Sequence, residues 1–308
     1  MHLTFKKAKF VRHLKKTTMD LPEKYINPLT DFGFKKLFGE EVNKELLVDF
    51  LNELLPEPHK IKELTYLQNE HLPLSEQDRK AIFDLYCENE KGEKFIVEIQ
   101  KAKQNYFKDR SVYYASFPIQ QQAIKGSDWD FKLAAVYTIG ILDFIFEEDK
   151  NDKDYIHRVQ LKNQKNIVFY DKLTFIYIEL PKFDKSAEQL ASKIEKWIYV
   201  LKYLAKLQDR PLALQEKIFT KLFAAAEIAK YSREEREVYE NSLKYYRDFN
   251  NVLDSAYEDG EQKGRIEGKI EGKVEERILI AQKMKMKGID INIIIEFTGL
   301  TAEEIEKL

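Results

Sequence analysis

The chain has a single cysteine, Cys87, among 308 residues. A disulfide framework is excluded, and a reducing, cytoplasmic setting is expected. No apolar run is long enough to span a bilayer. The most apolar stretch, 133–142, is bounded by Lys132 and Asp143, whereas a spanning helix needs roughly 20 residues. Such a run suits a buried strand, and no membrane partner is expected. There is little excess charge of either sign: 51 Lys and Arg against 53 Asp and Glu leave a net of −2. Bulk attraction to a polyanion is therefore excluded, and a nucleic-acid surface would have to be a local basic patch. The first sixteen residues carry Lys6, Lys7, Lys9, Arg12, Lys15 and Lys16 without the apolar core of a signal peptide. They read as a flexible basic lead over 1–23, with Met19 as an alternative start.

What is present is enough chain for one large domain or two, with 44% apolar and 34% charged residues. That composition suits a globular protein with long exposed helices.

The rest is organised around 79–104, RKAIFDLYCENEKGEKFIVEIQKAKQ. Residues 82–88 and 95–100 are rich in β-branched and aromatic side chains and read as two strands. Glu90-Lys91-Gly92 reads as a three-residue hairpin loop with Gly92 in the left-handed region. Asn89 then faces Glu93, and Asp84 faces Glu98. Side chains alternate along a strand, so Ile82, Asp84 and Tyr86 share one face with Ile96, Glu98 and Gln100. Asp84, Glu98 and Gln100 thus converge. Directly opposed Cβ atoms lie about 5 Å apart. Two carboxylates that close repel each other unless something positive sits between them, and Mg²⁺ takes such oxygens readily. One reading is a metal site; the other is a solvated face. The large apolar neighbours Ile82, Tyr86 and Ile96 point to a sheet covered on both sides, with the carboxylates set into a buried layer.

Asp84, thirteen intervening residues, then Glu98-Ile99-Gln100 resembles the Asp…(Asp/Glu)-x-Lys signature of PD-(D/E)XK nucleases, with Gln100 in the lysine's place. Three stretches narrow the likeness: Tyr25-Ile-Asn-Pro-Leu-Thr-Asp31-Phe-Gly-Phe-Lys-Lys-Leu-Phe-Gly39, Glu98-Ile-Gln100 and Arg110-Ser-Val-Tyr-Tyr114. Together they resemble the recombination-promoting nuclease (Rpn) family, also described as PD-(D/E)XK nuclease family transposases. The likeness runs from about Lys24 to the C-terminus.

The resemblance implies an α/β, restriction-endonuclease-like fold: a mixed central sheet flanked by helices. It implies a DNA endonuclease using Mg²⁺, or Mn²⁺ in its place. Asp84, Glu98 and the Ile99 carbonyl would hold the metal, and Gln100 would orient the attacking water. Asp31 is either a further acid or a helix cap. Arg110 and Tyr114 would line a nucleic-acid cleft with Lys101 and Lys103, either of which could supply the missing charge or simply be solvated. Tyr113 reads as core, and Gln121 as a candidate phosphate contact. Trp129 stands where the family more often has tyrosine. The rival reading is a DNA-binding or assembly protein on an inactive nuclease core, favoured by the missing lysine and the near-neutral charge.

Elsewhere the periodicity predicts helices from Thr30 or Asp31 to Gly39, over 43–55 and over 105–125, the last kinked or split at Pro118. Strands are expected near 61–67, 131–144, 155–161 and 174–180. Helices follow at 187–207, 213–230 and 234–257, the last with Val238, Leu243, Tyr246, Phe249, Val252, Leu253 and Ala256 inward. Gly260, Gly264, Gly268 and Gly272 form a period-four repeat with charged spacers, read as a weak helix or linker. Its stripe Ile266, Ile270 and Val274 could pair with a second copy, a homodimer. Residues 288–308 read as helix, turn, helix, with a capping box from Thr301 to Glu304. Glu303, Glu304 and Glu306 argue for packing there rather than DNA recognition. The expected regions are a lead 1–23, a nuclease-like core 24–185, helices packed on it 186–258, the glycine repeat 259–287 and the tail 288–308.

Overall fold

Two short helices open the described chain. The structure, a computed structural model, describes residues 23–68, 70–71, 81–123 and 130–308. The basic lead, Pro73, Ile124 and Trp129 lie outside these. Helix α1, Asp31–Phe38, is capped by Thr30, whose hydroxyl accepts from the Gly33 amide at 3.0 Å. Its stripe Phe34, Leu37 and Phe38 is buried, and Gly39 ends it. Helix α2, Lys44–Leu54, buries Leu46, Leu47, Phe50, Leu51 and Leu54.

The strands are β1 Leu64–Tyr66, β2 Glu70–His71, β3 Ala81–Ile82, β4 Leu85–Asn89, β5 Lys94–Gln100, β6 Val136–Leu142, β7 Ile156–Lys162 and β8 Val168–Glu179. Six form one mixed sheet in the order β1-β4-β5-β6-β8-β7, while β2 and β3 pair separately. β5, β6 and β8 run parallel, and the β1–β4, β4–β5 and β7–β8 pairs are antiparallel. The apolar run of the sequence is β6, buried along its whole length. This is the expected α/β architecture of the PD-(D/E)XK fold, with helices flanking the sheet and a helical C-terminal region.

Helix α3, Phe107–Gln121, covers one face through Phe107 and Ala115, which meet Val136, Leu142, Phe175 and Tyr177. The helix is not split at Pro118 and runs on to Gln121. Helices α4, Lys193–Tyr203, and α5, Lys217–Ala226, pack with α1 and α2 around Trp197, whose ring lies 5.1–5.8 Å from Phe38, Phe50 and Phe219.

The chain falls into two compact units that divide between Leu243 and Lys244. Helix α6, Arg233–Met286, is continuous through the glycine repeat. In the first unit Tyr239 and Leu243 are buried, and Tyr239 donates to Glu23 and accepts from the Asn27 amide. Of the residues expected to face inward, Leu243 is buried and Tyr246 and Phe249 are half-buried, while Val238, Val252, Leu253 and Ala256 are exposed. In the second unit α7, Ile291–Thr298, and α8, Ala302–Glu306, close a small core of Ala281, Ile294 and Ile305. The capping box of Thr301 and Glu304 forms as expected. No described helix is long and apolar enough to cross a membrane.

Gly140 is closely packed in the sheet. It sits in β6 between Glu98 of β5 and Tyr177 of β8. A Cβ there would meet the Tyr177 ring at 3.0 Å and Leu142 at 3.4 Å. Gly140→Val should therefore cost about 1–3 kcal/mol by overpacking, read from the urea midpoint of unfolding.

Candidate active site

The site begins at the hairpin turn. Gly92 has φ +77°, the left-handed conformation that glycine adopts freely. Asn89 Oδ1 accepts from the amides of Lys91 and Glu93, and its own amide donates to the Glu93 carbonyl. These bonds fix the register. Tyr86 pairs with Ile96 and Leu85 with Val97, which carries Asp84 opposite Glu98.

The regular ladder stops at Leu85, and Asp84 lies on a bend. The expected single strand 82–88 is therefore two pieces, β3 and β4. Two side-chain bonds stand where the ladder would have continued. Asp84 Oδ2 accepts from the Ile99 amide at 2.7 Å, and the Asp84 amide donates to Glu98 Oε1 at 3.3 Å. The bend also breaks the alternation of faces: Phe83 joins Tyr86 and Ile96 in one apolar cluster, with Tyr114 and Phe117 against it.

The pair resists ionisation. Burial pushes the Glu98 carboxyl up to about 8; the neighbouring Asp84 charge adds to the rise, and Arg110 and the Asp84 amide oppose it. Burial also raises Asp84, against the pull of the Ile99 amide. Asp31 raises it further, while Lys35 and Lys101 lower it.

The two carboxylates line separate cavities. Asp84 lines a hollow of about 110 Å³ with Leu29, Thr30, Asp31, Phe34, Ile99 and Lys101. Thr30 is the helix cap, and exposed Asp31 pairs with Lys35 at 2.8 Å. Glu98 instead shares a tight cavity with Arg110, Ser111, Tyr114, Thr138, Gly140 and Tyr177. Gln100 lies on the side of α3: it is buried, with Nε2 donating to the Ala102 carbonyl at 3.0 Å and Oε1 accepting from Arg110. Arg110 also donates to Gln104. Lys103 is drawn to Glu147 at 3.5 Å. Tyr113, expected in the core, is exposed, and Tyr114 is the one packed inward, edge-on to Phe83 at 5.3 Å. Gln121 accepts from the Tyr86 hydroxyl at 2.9 Å.

A family model for PD-(D/E)XK nuclease family transposases matches residues 28–256, more than half of the chain. The chain belongs to that family. No curated protein and no solved structure matches it. Nucleases of the PD-(D/E)XK type generally use divalent metals. Among the described residues no group of three or more His, Cys, Asp and Glu gathers as a metal cage. The donors are instead two half-buried carboxylates. That set fits a hard cation that keeps several of its own waters, and a cation would offset both the burial and the Asp84 charge that raise Glu98.

Sequence reasoning missed Gln104, Ser111 and Thr138. Gln104 lies outside any strand or helix, and its grip on Arg110 has no sequence signal. Ser111 and Thr138 reach the site only because α3 is laid across β6.

The Glu98 shift has a sign that can be measured. An unfolded glutamate titrates near 4.3, whereas Glu98 in the fold titrates at about 8. Between those values the folded state binds the extra proton, so stability from this group is present at low pH and lost as pH rises toward 8. The melting temperature of the metal-free protein should fall from pH 5 to pH 8 by more than in Glu98→Gln, which has no such proton to lose. Equal slopes in the two proteins would show that Glu98 titrates normally.

Proposed function

We propose that the protein is a metal-dependent DNA endonuclease that hydrolyses phosphodiester bonds, using Mg²⁺, with Mn²⁺ able to replace it. One observation carries this reading. Two carboxylates from the two arms of the hairpin are bonded into one another's backbone and are both held against ionisation. Holding two such carboxylates together costs the fold, and a cation between them would reverse that cost.

In this reading Asp84, Glu98 and the Ile99 carbonyl would hold the metal, which would supply a water of lowered pKa and polarisation of the phosphodiester. The chain's own residues do the rest. Asp31 adds negative charge beside Asp84 and, with Lys101, lines the same hollow. Lys101, beside Asp84, and Arg110, beside Glu98, present positive charge that would hold a phosphate backbone. Tyr114 backs the Arg110 guanidinium with its ring at 5.7 Å. Lys103, exposed and shared with Glu147, would reach the backbone from the rim. A role in recombination or in mobile elements follows the family's character as transposases.

A second reading is an inactive nuclease core that binds DNA or assembles with other chains, and the neutral Gln100 at the signature's last position favours it. The deciding experiment is Mg²⁺-dependent nicking of supercoiled plasmid. Nicking by the wild type that disappears with chelation is the expected result. No cutting with any divalent cation would leave the second reading in possession.

A further inference from the structure

The cation of the PD-(D/E)XK signature is missing at Gln100, yet a cation stands beside it. Arg110 reaches back from the first turns of α3, and its Nη2 donates to Gln100 Oε1. Its Nη1 donates to Gln104 Oε1. Gln100 is itself pinned, because its Nε2 is spent on the Ala102 carbonyl. The rings of Phe107 and Tyr114 lie 5.3 and 5.7 Å from the guanidinium carbon. The guanidinium is thus gripped at both nitrogens and backed by two rings, in the wall of the cavity that Glu98 lines.

Its partners are neutral. Other cations nearby are paired with carboxylates: Lys35 with Asp31, Lys103 with Glu147, Lys108 with Glu148. Among the described residues no carboxylate is hydrogen-bonded to Arg110; the carboxylate its charge acts on is Glu98, across the same cavity. A guanidinium is always charged, and its planar fork suits two phosphate oxygens at once.

We propose that Arg110 is the catalytic cation of this site, placed against the non-bridging oxygens of the scissile phosphate, and that Gln100 and Gln104 are positioning residues that aim it. This rests on the nuclease reading. In hydrolysis a water oxygen bonds to phosphorus, the bond from phosphorus to the leaving sugar oxygen breaks, and a proton passes from the water to the solvent or the leaving oxygen. Arg110 exchanges no proton and no electrons. It bears only on the charge that gathers on the phosphoryl oxygens in the transition state, where a preorganised cation counts most. Gln100 is then the residue that an arginine needs as a clamp, where a lysine would have supplied the charge itself.

The test is single-turnover plasmid cleavage with Mg²⁺, with affinity for a labelled duplex measured separately without divalent metal. Arg110→Ala should cut about 10²–10³-fold more slowly, the usual loss for one preorganised donor, while duplex affinity changes by less than about fivefold, the scale of one phosphate contact. Added guanidinium ion should restore part of the rate to Arg110→Ala and none to Asp84→Asn. Gln100→Ala should cut about tenfold more slowly alone and no more slowly when added to Arg110→Ala, because the two act as one unit. Gln100→Lys should also slow the enzyme, since a second cation displaces the first. Circular dichroism checks that each variant folds; exposed Gln104, changed to alanine, provides a variant with little risk to folding and should slow cutting in the same direction. Cutting by Arg110→Ala within about threefold of the wild type overturns the proposal, as does a rate loss matched by an equal loss of duplex affinity. Additive effects of Gln100→Ala and Arg110→Ala overturn the positioning role. If the wild type itself cuts nothing with any divalent cation, the nuclease reading fails and this proposal with it, an outcome distinct from an active wild type with an active Arg110→Ala.

Discussion

Asp84→Asn should abolish plasmid cleavage, by at least about 10³-fold, which is roughly 4 kcal/mol of transition-state stabilisation. The substitution is chosen to spare the fold. An asparagine carbonyl can still accept the Ile99 amide that Asp84 Oδ2 accepts at 2.7 Å. What disappears is the charge, and with it both the grip on a divalent cation and the repulsion that raises Glu98. Asp84→Asn should therefore be inactive and at the same time no less stable than the wild type at pH 8 without metal. Loss of function with equal or greater melting temperature is the signature of a functional carboxylate rather than a structural one. Full cleavage by Asp84→Asn would remove Asp84 from the site, and the metal reading would lose its first ligand.

Trp197→Ala should cost about 3–5 kcal/mol, the range for removing a fully buried large aromatic. That is a large share of a typical domain's total stability of about 5–15 kcal/mol. Trp197 is fully buried, and its Nε1 donates to Asp49 at 2.8 Å. Its ring touches α1 through Phe38, α2 through Phe50 and α5 through Phe219. Removing it empties the point where four helices meet and takes one hydrogen bond from Asp49, which Lys193 still holds. Trp197→Phe should lose less, because most of the volume stays and only the N–H is gone. Denaturant unfolding of both variants gives the comparison. A loss under about 1 kcal/mol for the alanine variant would contradict a shared core, since buried large-to-small changes of this kind do not come so cheaply.

That core carries a lesson about what could be read from the sequence. The helical pattern at 187–207 is plain, and so is the stripe of α1. Nothing in either says that Trp197 and Phe38 touch, because residues so far apart along the chain meet only through folding. The glycine repeat shows the opposite limit. Each glycine disfavours helix by about 1 kcal/mol relative to alanine, so local propensity argues for a weak segment, yet α6 runs through it unbroken.

The site divides along a similar line. The sequence by itself determined the hairpin: two β-rich stretches around a loop with Gly92 fix one register, and that register sets Asp84 opposite Glu98. It also determined the family, through words spread along the chain that a profile of the PD-(D/E)XK nuclease family transposases recognises. These are local matters of turn chemistry, alternation and residue identity. Only the tertiary structure decided how the side chains are used. The bend at Asp84 turns its carboxylate to the Ile99 amide, and α3, laid across the sheet, brings Arg110 to Gln100. Both depend on where a distant element comes to rest. A neutral glutamine reads in the sequence as a missing charge, and in the fold it is bonded to the guanidinium of an arginine ten residues further on.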